Sequence, residues 1–113
     1  MKDDRVFLNH IREFCEDLQV YLYEIESLEE LKKSKLYQDA IVRKLEIIGE
    51  ASNNISKELK DKYPDVPWRE IKALRNIMAH EYFGLNFNTI WNVLTTKIPL
   101  LHKQIKEILK ELS

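Results

Sequence analysis

The chain has 113 residues, enough for one domain (residues 1–113) with a real apolar core and too few for two. Its 44% hydrophobic and 33% charged residues, with only 2 Gly and 3 Pro, exclude a disordered tail, and 18 Lys plus Arg against 19 Asp plus Glu exclude an overall positive field that would gather phosphates. The lone Cys15 excludes an intramolecular disulfide and provides no metal-ligand spacing; "MKDDRVFLNH" turns acidic before any secretory apolar core, and no transmembrane-length run follows, so a cytoplasmic, membrane-free protein is expected.

In chain order, the first element is a long helix from Asp4, in which Phe7, Ile11, Phe14, Leu18, Leu22 and Ile25 recur at three- and four-residue steps among Arg5, Arg12, Glu13, Glu16 and Asp17. Ser27 followed by Glu30 forms a capping-box pattern that starts a short second helix with Leu28 and Leu31, unless the first helix runs through it. "KKSK" interrupts the periodicity. From Asp39 a further helix carries Ile41, Leu45, Ile48, Ser52, Ile55 and Leu59 on one face, and Gly49 inside it suggests a close approach, because glycine there costs about 1 kcal/mol of helix propensity. "DKYPDVP" ends that helix.

Pro67 suits the first turn of the next helix, whose apolar side is Trp68, Ile71, Leu74 and Met78. Gly84 is placed to stop it, and Asn88 to cap a last segment, "TIWNVLTTKIPLLHKQIKEILKEL", which Pro99 should kink or divide. No alternating strand pattern competes. The predicted fold is all-α, a single up-and-down helical bundle.

The polar residues of "ALRNIMAHEYFGLN" fall near the end of the Trp68 helix. Arg75 and His80, five positions apart, point about 140° apart on an ideal helix, so a monomeric pocket requires a wrapped arginine stem or a loosened helix end. A second chain bringing its own pair resolves the geometry more simply. Spacing alone leaves two readings open: a capping or solvated cluster at a helix end, or a catalytic set.

The longer pattern is more specific. "RNIMAHEY", with "IVRKLEIIGEA", "YPDVPWREIKALRN" and "HEYFGLN" around it in that order, resembles HepT, the small HEPN-domain toxin of bacterial and archaeal toxin–antitoxin pairs, over nearly the whole chain. The resemblance implies a homodimeric, metal-independent endoribonuclease with the motif arginine and histidine, Arg75 and His80, of both subunits at a shared cleft. It also implies an MntA-type minimal nucleotidyltransferase as antitoxin. That partner, using ATP with magnesium, transfers adenylate to the motif tyrosine, here Tyr82, so the chain itself takes no cofactor. The alternative is a catalytically silent bundle that only binds such a nucleotidyltransferase.

The side chains suit RNA cleavage. An imidazole with a reference pKa of about 6.5 can serve as base toward a ribose 2′-hydroxyl in one copy and as acid toward the leaving 5′-oxygen in the other, which suits His80. Arg75 offers a fork to a phosphate oxygen, and Asn76 can orient His80 or the phosphate. Glu50, beside Gly49, is a candidate support for Arg75 or Arg43, or a solvent-facing residue. Arg69, Lys72 and Arg75 form a short basic strip that Arg43 and Lys44 are expected to join on folding. Trp68 and Trp91 fall in apolar patterns, Cys15 shares the packing face of Phe14 and Leu18, and His102 reads as a surface or interface histidine.

Overall fold

The structure is a computed structural model describing residues 3–80 and 86–113, with Ala79 and His80 described by their backbone alone. It is all-helical in these residues: α1 Asp4–Ile25, α2 Leu28–Lys33, α3 Lys35–Asn53, α4 Lys57–Lys62, α5 Trp68–His80, α6 Phe87–Asn92 and α7 Ile98–Leu112, with a π-helical turn, Val93–Lys97, joining the last two. Helix α3 packs against α1 and α5, and α7 returns along α1. Leu8, Ile11, Cys15 and Leu18 of α1 meet Ile41, Leu45 and Ile48 of α3 and Ile98, Leu101 and Ile105 of α7 in one core. Each fully buried aliphatic side chain there contributes roughly 1.5–3 kcal/mol.

Local chemistry sets the helix ends. The Asp3 side chain accepts from Arg5 N–H to start α1, and α1 stops at Glu26, whose φ of 73° is left-handed. Ser27 then caps α2 through Glu30 N–H, as the capping box predicts. Ser34 closes α2 and opens α3 by accepting from Tyr37 N–H, so α3 begins at Lys35, four residues before the predicted Asp39.

The predicted continuous helix through Leu59 is in fact two. Helix α3 ends at Asn53, and Ser56 starts α4 by accepting from Leu59 N–H while donating its own N–H and Oγ–H to the Asp4 carboxylate at 2.9 and 2.7 Å. Ile55 and Leu59 keep their places in the core across the break. Asn86 rather than Asn88 caps α6, accepting from Asn88 N–H. Gly84 lies outside the described residues.

Pro99 divides the last segment as expected, and the π turn shows how. A proline has no N–H and crowds the carbonyl four residues back. Here Ile98 N–H reaches back five residues to Val93, widening the helix just before the ring, and the Thr95 and Thr96 hydroxyls donate to the Trp91 and Asn92 carbonyls.

His102 is not a surface histidine. It lies between α7 and α1 with Nε2 2.9 Å from Glu16 Oε2, and Arg12 holds the same carboxylate from the other side. The His102 hydrogen bond, against a smaller opposing effect of burial and with help from Arg12, keeps the Glu16 carboxyl below the ordinary carboxylate range. A depressed carboxyl pKa contributes stability that is present above the unfolded-state value and lost as pH falls through the folded one. Denaturant midpoints from pH 6 downward should therefore separate wild type from His102→Gln near neutrality and converge in acid. The solvent-screened difference should be about 1 kcal/mol or less. A constant gap across the range would assign the loss to packing.

Candidate functional site

Gly49 sets the geometry around Arg75. A Cβ built on Gly49 would lie 2.7 Å from Arg75 N and 2.9 Å from Ile71 O, so α3 and α5 touch backbone to backbone there. The next α3 residue, Glu50, thereby meets Arg75: its Oε2 lies 2.5 Å from Arg75 Nε, both side chains about half exposed at 51% and 53%. Of the two predicted partners, Glu50 takes Arg75, while Arg43 pairs with Glu46 on its own helix.

Asn76 follows Arg75 and is exposed. His80 is the last residue of α5, and Tyr82 lies outside the described residues, as does the side chain of His80. The structure thus brings Arg75 to Glu50 and places the backbone of His80 five residues further along the same helix.

A second feature lies between α5 and α7. An open, mainly apolar groove of about 450 Å³ is lined by Leu74 and Ile77 of α5 and by Val93, Ile98 and Leu101 opposite, with Glu70 and Lys97 also on its walls. Arg75 is not among its lining residues and turns instead toward α3. Ile77 and Leu100 on this side are 38% and 53% exposed, which is unusual for large aliphatic residues so close together.

The predicted basic strip is partly different. Arg69, Lys72 and Arg75 are exposed on α5, but Lys44 turns away to Asp17 and over the Phe14 ring, 4.5 Å from its centroid. Lys60 of α4 comes to the strip instead, 6.0 Å from the Trp68 ring centroid. Trp68 and Trp91 pack against the core, and Trp68 Nε1 donates to the Tyr63 carbonyl. Cys15 is buried, and burial pushes its thiol up to about 12, which makes it an inert packing residue. Among the described residues no group of three or more His, Cys, Asp or Glu side chains is arranged to hold a metal ion.

A family model described as "Ribonuclease HepT-like" matches residues 11–108. The chain belongs to the HepT-like ribonuclease family. It is 45% identical over 111 residues, 98% of both chains, to "Putative RNase TTE0752" of Caldanaerobacter subterraneus subsp. tengcongensis. It is 39% identical to "Putative RNase MJ0127" of Methanocaldococcus jannaschii, covering 98% of this chain and 91% of the other. It is also 36% identical to "Probable ribonuclease HepT" of Thermococcus cleftensis, over 92% and 94% of the two chains. No solved structure matches it significantly. Membership makes this HepT-like chain a ribonuclease by class and RNA its substrate class. No helix among the described residues is long and apolar enough to cross a membrane.

Proposed function

We propose that this HepT-like chain is a metal-independent endoribonuclease toxin that works as a homodimer, with Arg75 and His80 as its catalytic residues. The observation that supports this most is the Glu50–Arg75 ion pair in a member of a ribonuclease family: a solvent-accessible guanidinium is held on the helix that ends at His80. Glu50 grips Nε and so directs the Nη fork outward to a phosphate oxygen. One His80 takes the proton of the ribose 2′-hydroxyl, and the other protonates the departing 5′-oxygen. Asn76 orients one of these groups. Single-stranded and structured RNAs incubated with the purified chain in excess chelator test the reading. Cleavage should persist without divalent metal, and its absence from a folded, dimeric preparation would favour a silent binding bundle.

The groove between α5 and α7 suits the second copy. In a two-fold contact each groove meets its own counterpart, and Glu70 of one chain can face Lys97 of the other while Ile77 and Leu100 become covered. Ile77 lies three residues before His80, so this contact brings the two α5 ends together. Ile77→Asp with Leu100→Asp should give a folded monomer by light scattering, with cleavage lost. A dimer that persists in this variant would place the contact elsewhere.

Control falls on Tyr82. An MntA-type nucleotidyltransferase transfers AMP from ATP to the Tyr82 hydroxyl: a phosphorus–oxygen bond to tyrosine forms, pyrophosphate leaves, and the phenolic proton is released. The added phosphodiester brings negative charge and bulk that compete with RNA phosphate for Arg75. With partner, ATP and magnesium, wild type should gain adenylate mass and lose activity, while Tyr82→Phe gains none and stays active. Equal modification of both would locate control at another residue.

A further inference from the structure

Several cations of the described surface have no ion-pair partner, and two of them, Lys60 and Lys72, stand near one another beside Trp68. Lys60 is half-buried against Trp68, and burial first, then the nearby Lys72 charge, lowers its pKa from the ordinary lysine value, with Asp4 opposing. Neither Lys60 nor Lys72 has an ion-pair partner among the described residues. Asp4 is already committed to Ser56, both of its oxygens accepting from that residue. Arg43, Lys44, Lys57 and Arg75, by contrast, each have a carboxylate. Two ammonium groups held near one another, one of them partly stripped of water, repel, and a bound anion relieves that repulsion.

The pair also has a direction. Arg69, Lys72 and Asn76 recur at three- and four-residue steps on exposed positions of α5. The run starts beside Lys60 and Trp68 and leads toward His80, about 12 Å along the helix axis from Lys72. The groove residues Leu74 and Ile77 fall outside this row, so the cations and the apolar groove occupy different sides of α5.

We propose that Lys60 and Lys72 form a phosphate-binding station for the backbone of the RNA substrate, upstream of the Arg75–His80 motif on the same helix. The substrate is then held at two points, by the station and by Arg75. Trp68 is the floor beneath Lys60 and not a base-stacking platform, because its indole is packed and bonded to Tyr63. This inference rests on the ribonuclease reading above and adds to it a residue, Lys60, from outside the motif helix.

Fluorescence anisotropy with a 2′-O-methylated single-stranded RNA of about a dozen nucleotides, which cannot be cleaved through its 2′-oxygen, tests it between about 50 and 200 mM salt. Removing two phosphate contacts from a single strand should flatten the slope of log affinity against log salt by about 1.4 in Lys60→Gln/Lys72→Gln and weaken low-salt binding by about ten-fold. Lys103→Gln/Lys106→Gln, which changes net charge equally at exposed positions of α7, should keep the wild-type slope. If half-buried Lys60 does not tolerate glutamine, Lys72→Gln alone at its exposed position should still flatten the slope by about 0.7. Lys60→Arg/Lys72→Arg should restore it. Slopes that are equal in wild type and the α4–α5 variants, or that fall equally in the α7 control, would overturn the station while leaving wild-type cleavage intact. A folded wild-type chain that neither binds nor cleaves RNA would overturn the station and the ribonuclease mechanism together.

Discussion

His80→Ala should lower RNA cleavage by roughly 10²–10⁴-fold, the usual contribution of a positioned acid or base. Its circular dichroism should match wild type, because the substitution falls on the last residue of α5 and alanine favours helix. Arg75→Ala should cost on the order of 10²–10³-fold, as the removal of a charge-stabilising donor does. This second variant needs a stability control, since the Arg75 Cβ lies at the Gly49 contact and its stem can contribute packing. Arg75→Lys keeps the charge but not the fork and should fall between wild type and Arg75→Ala. Glu50→Gln should cost less than either, because Glu50 holds Arg75 Nε and would act on RNA only through that arginine. Activity that tracks only the folded fraction in all of these variants would make the motif structural.

Gly49→Ala should destabilise the protein although it improves helix propensity by about 1 kcal/mol. The new methyl would meet Arg75 N at 2.7 Å, Ile71 O at 2.9 Å and Arg75 Cβ at 3.1 Å. Two of those three atoms are backbone, so no rotamer change clears them and α5 must shift away from α3. Overpacking of this kind costs about 1–3 kcal/mol, enough to reverse the propensity gain at the upper end of that range. A net loss of 1 kcal/mol lowers the thermal midpoint by roughly 4 °C or more in a domain of this size. Two of the three displaced atoms belong to Arg75, so cleavage should fall more than the folded fraction does. A raised midpoint with normal activity would show that the two helices separate without cost.

The spacing of apolar residues identified the buried faces well but not every break between helices. Ile41, Leu45, Ile48, Ser52, Ile55 and Leu59 are all buried, and their steps of three and four look the same whether one helix or two carries them. What ends α3 is Ser56 turning to Asp4, a contact across 52 residues that no local pattern encodes. The same break hid Lys60, which reads as the tail of a long helix until α4 turns it toward Trp68 and Lys72. Gly49 signalled a close approach through its cost in a helix, yet which arginine met Glu50 depended on which helix approached. Arg43 was near in sequence; Arg75 was near in space. The order and flanks of the motif pick Arg75 out as a candidate, and the direction in which its side chain turns was not legible there.

The widened turn before Pro99 also has a bearing on which changes in chain length this protein can tolerate. A π turn holds one residue more than the α-helical turn it replaces. Removing one residue from Val93–Lys97 would let an ordinary α-helical turn take its place and would leave everything after it close to its present phase, because the wide turn already absorbs the extra residue. Ile98, Leu101, Ile105 and Ile108 would keep facing α1, with His102 still beside Glu16, and the cost would fall on Pro99, whose ring would again crowd the carbonyl four residues back. The extra residue is thus slack in the chain: a one-codon deletion there leaves the helix that follows in phase, whereas the same deletion inside α7 would turn every residue after it by about 100°.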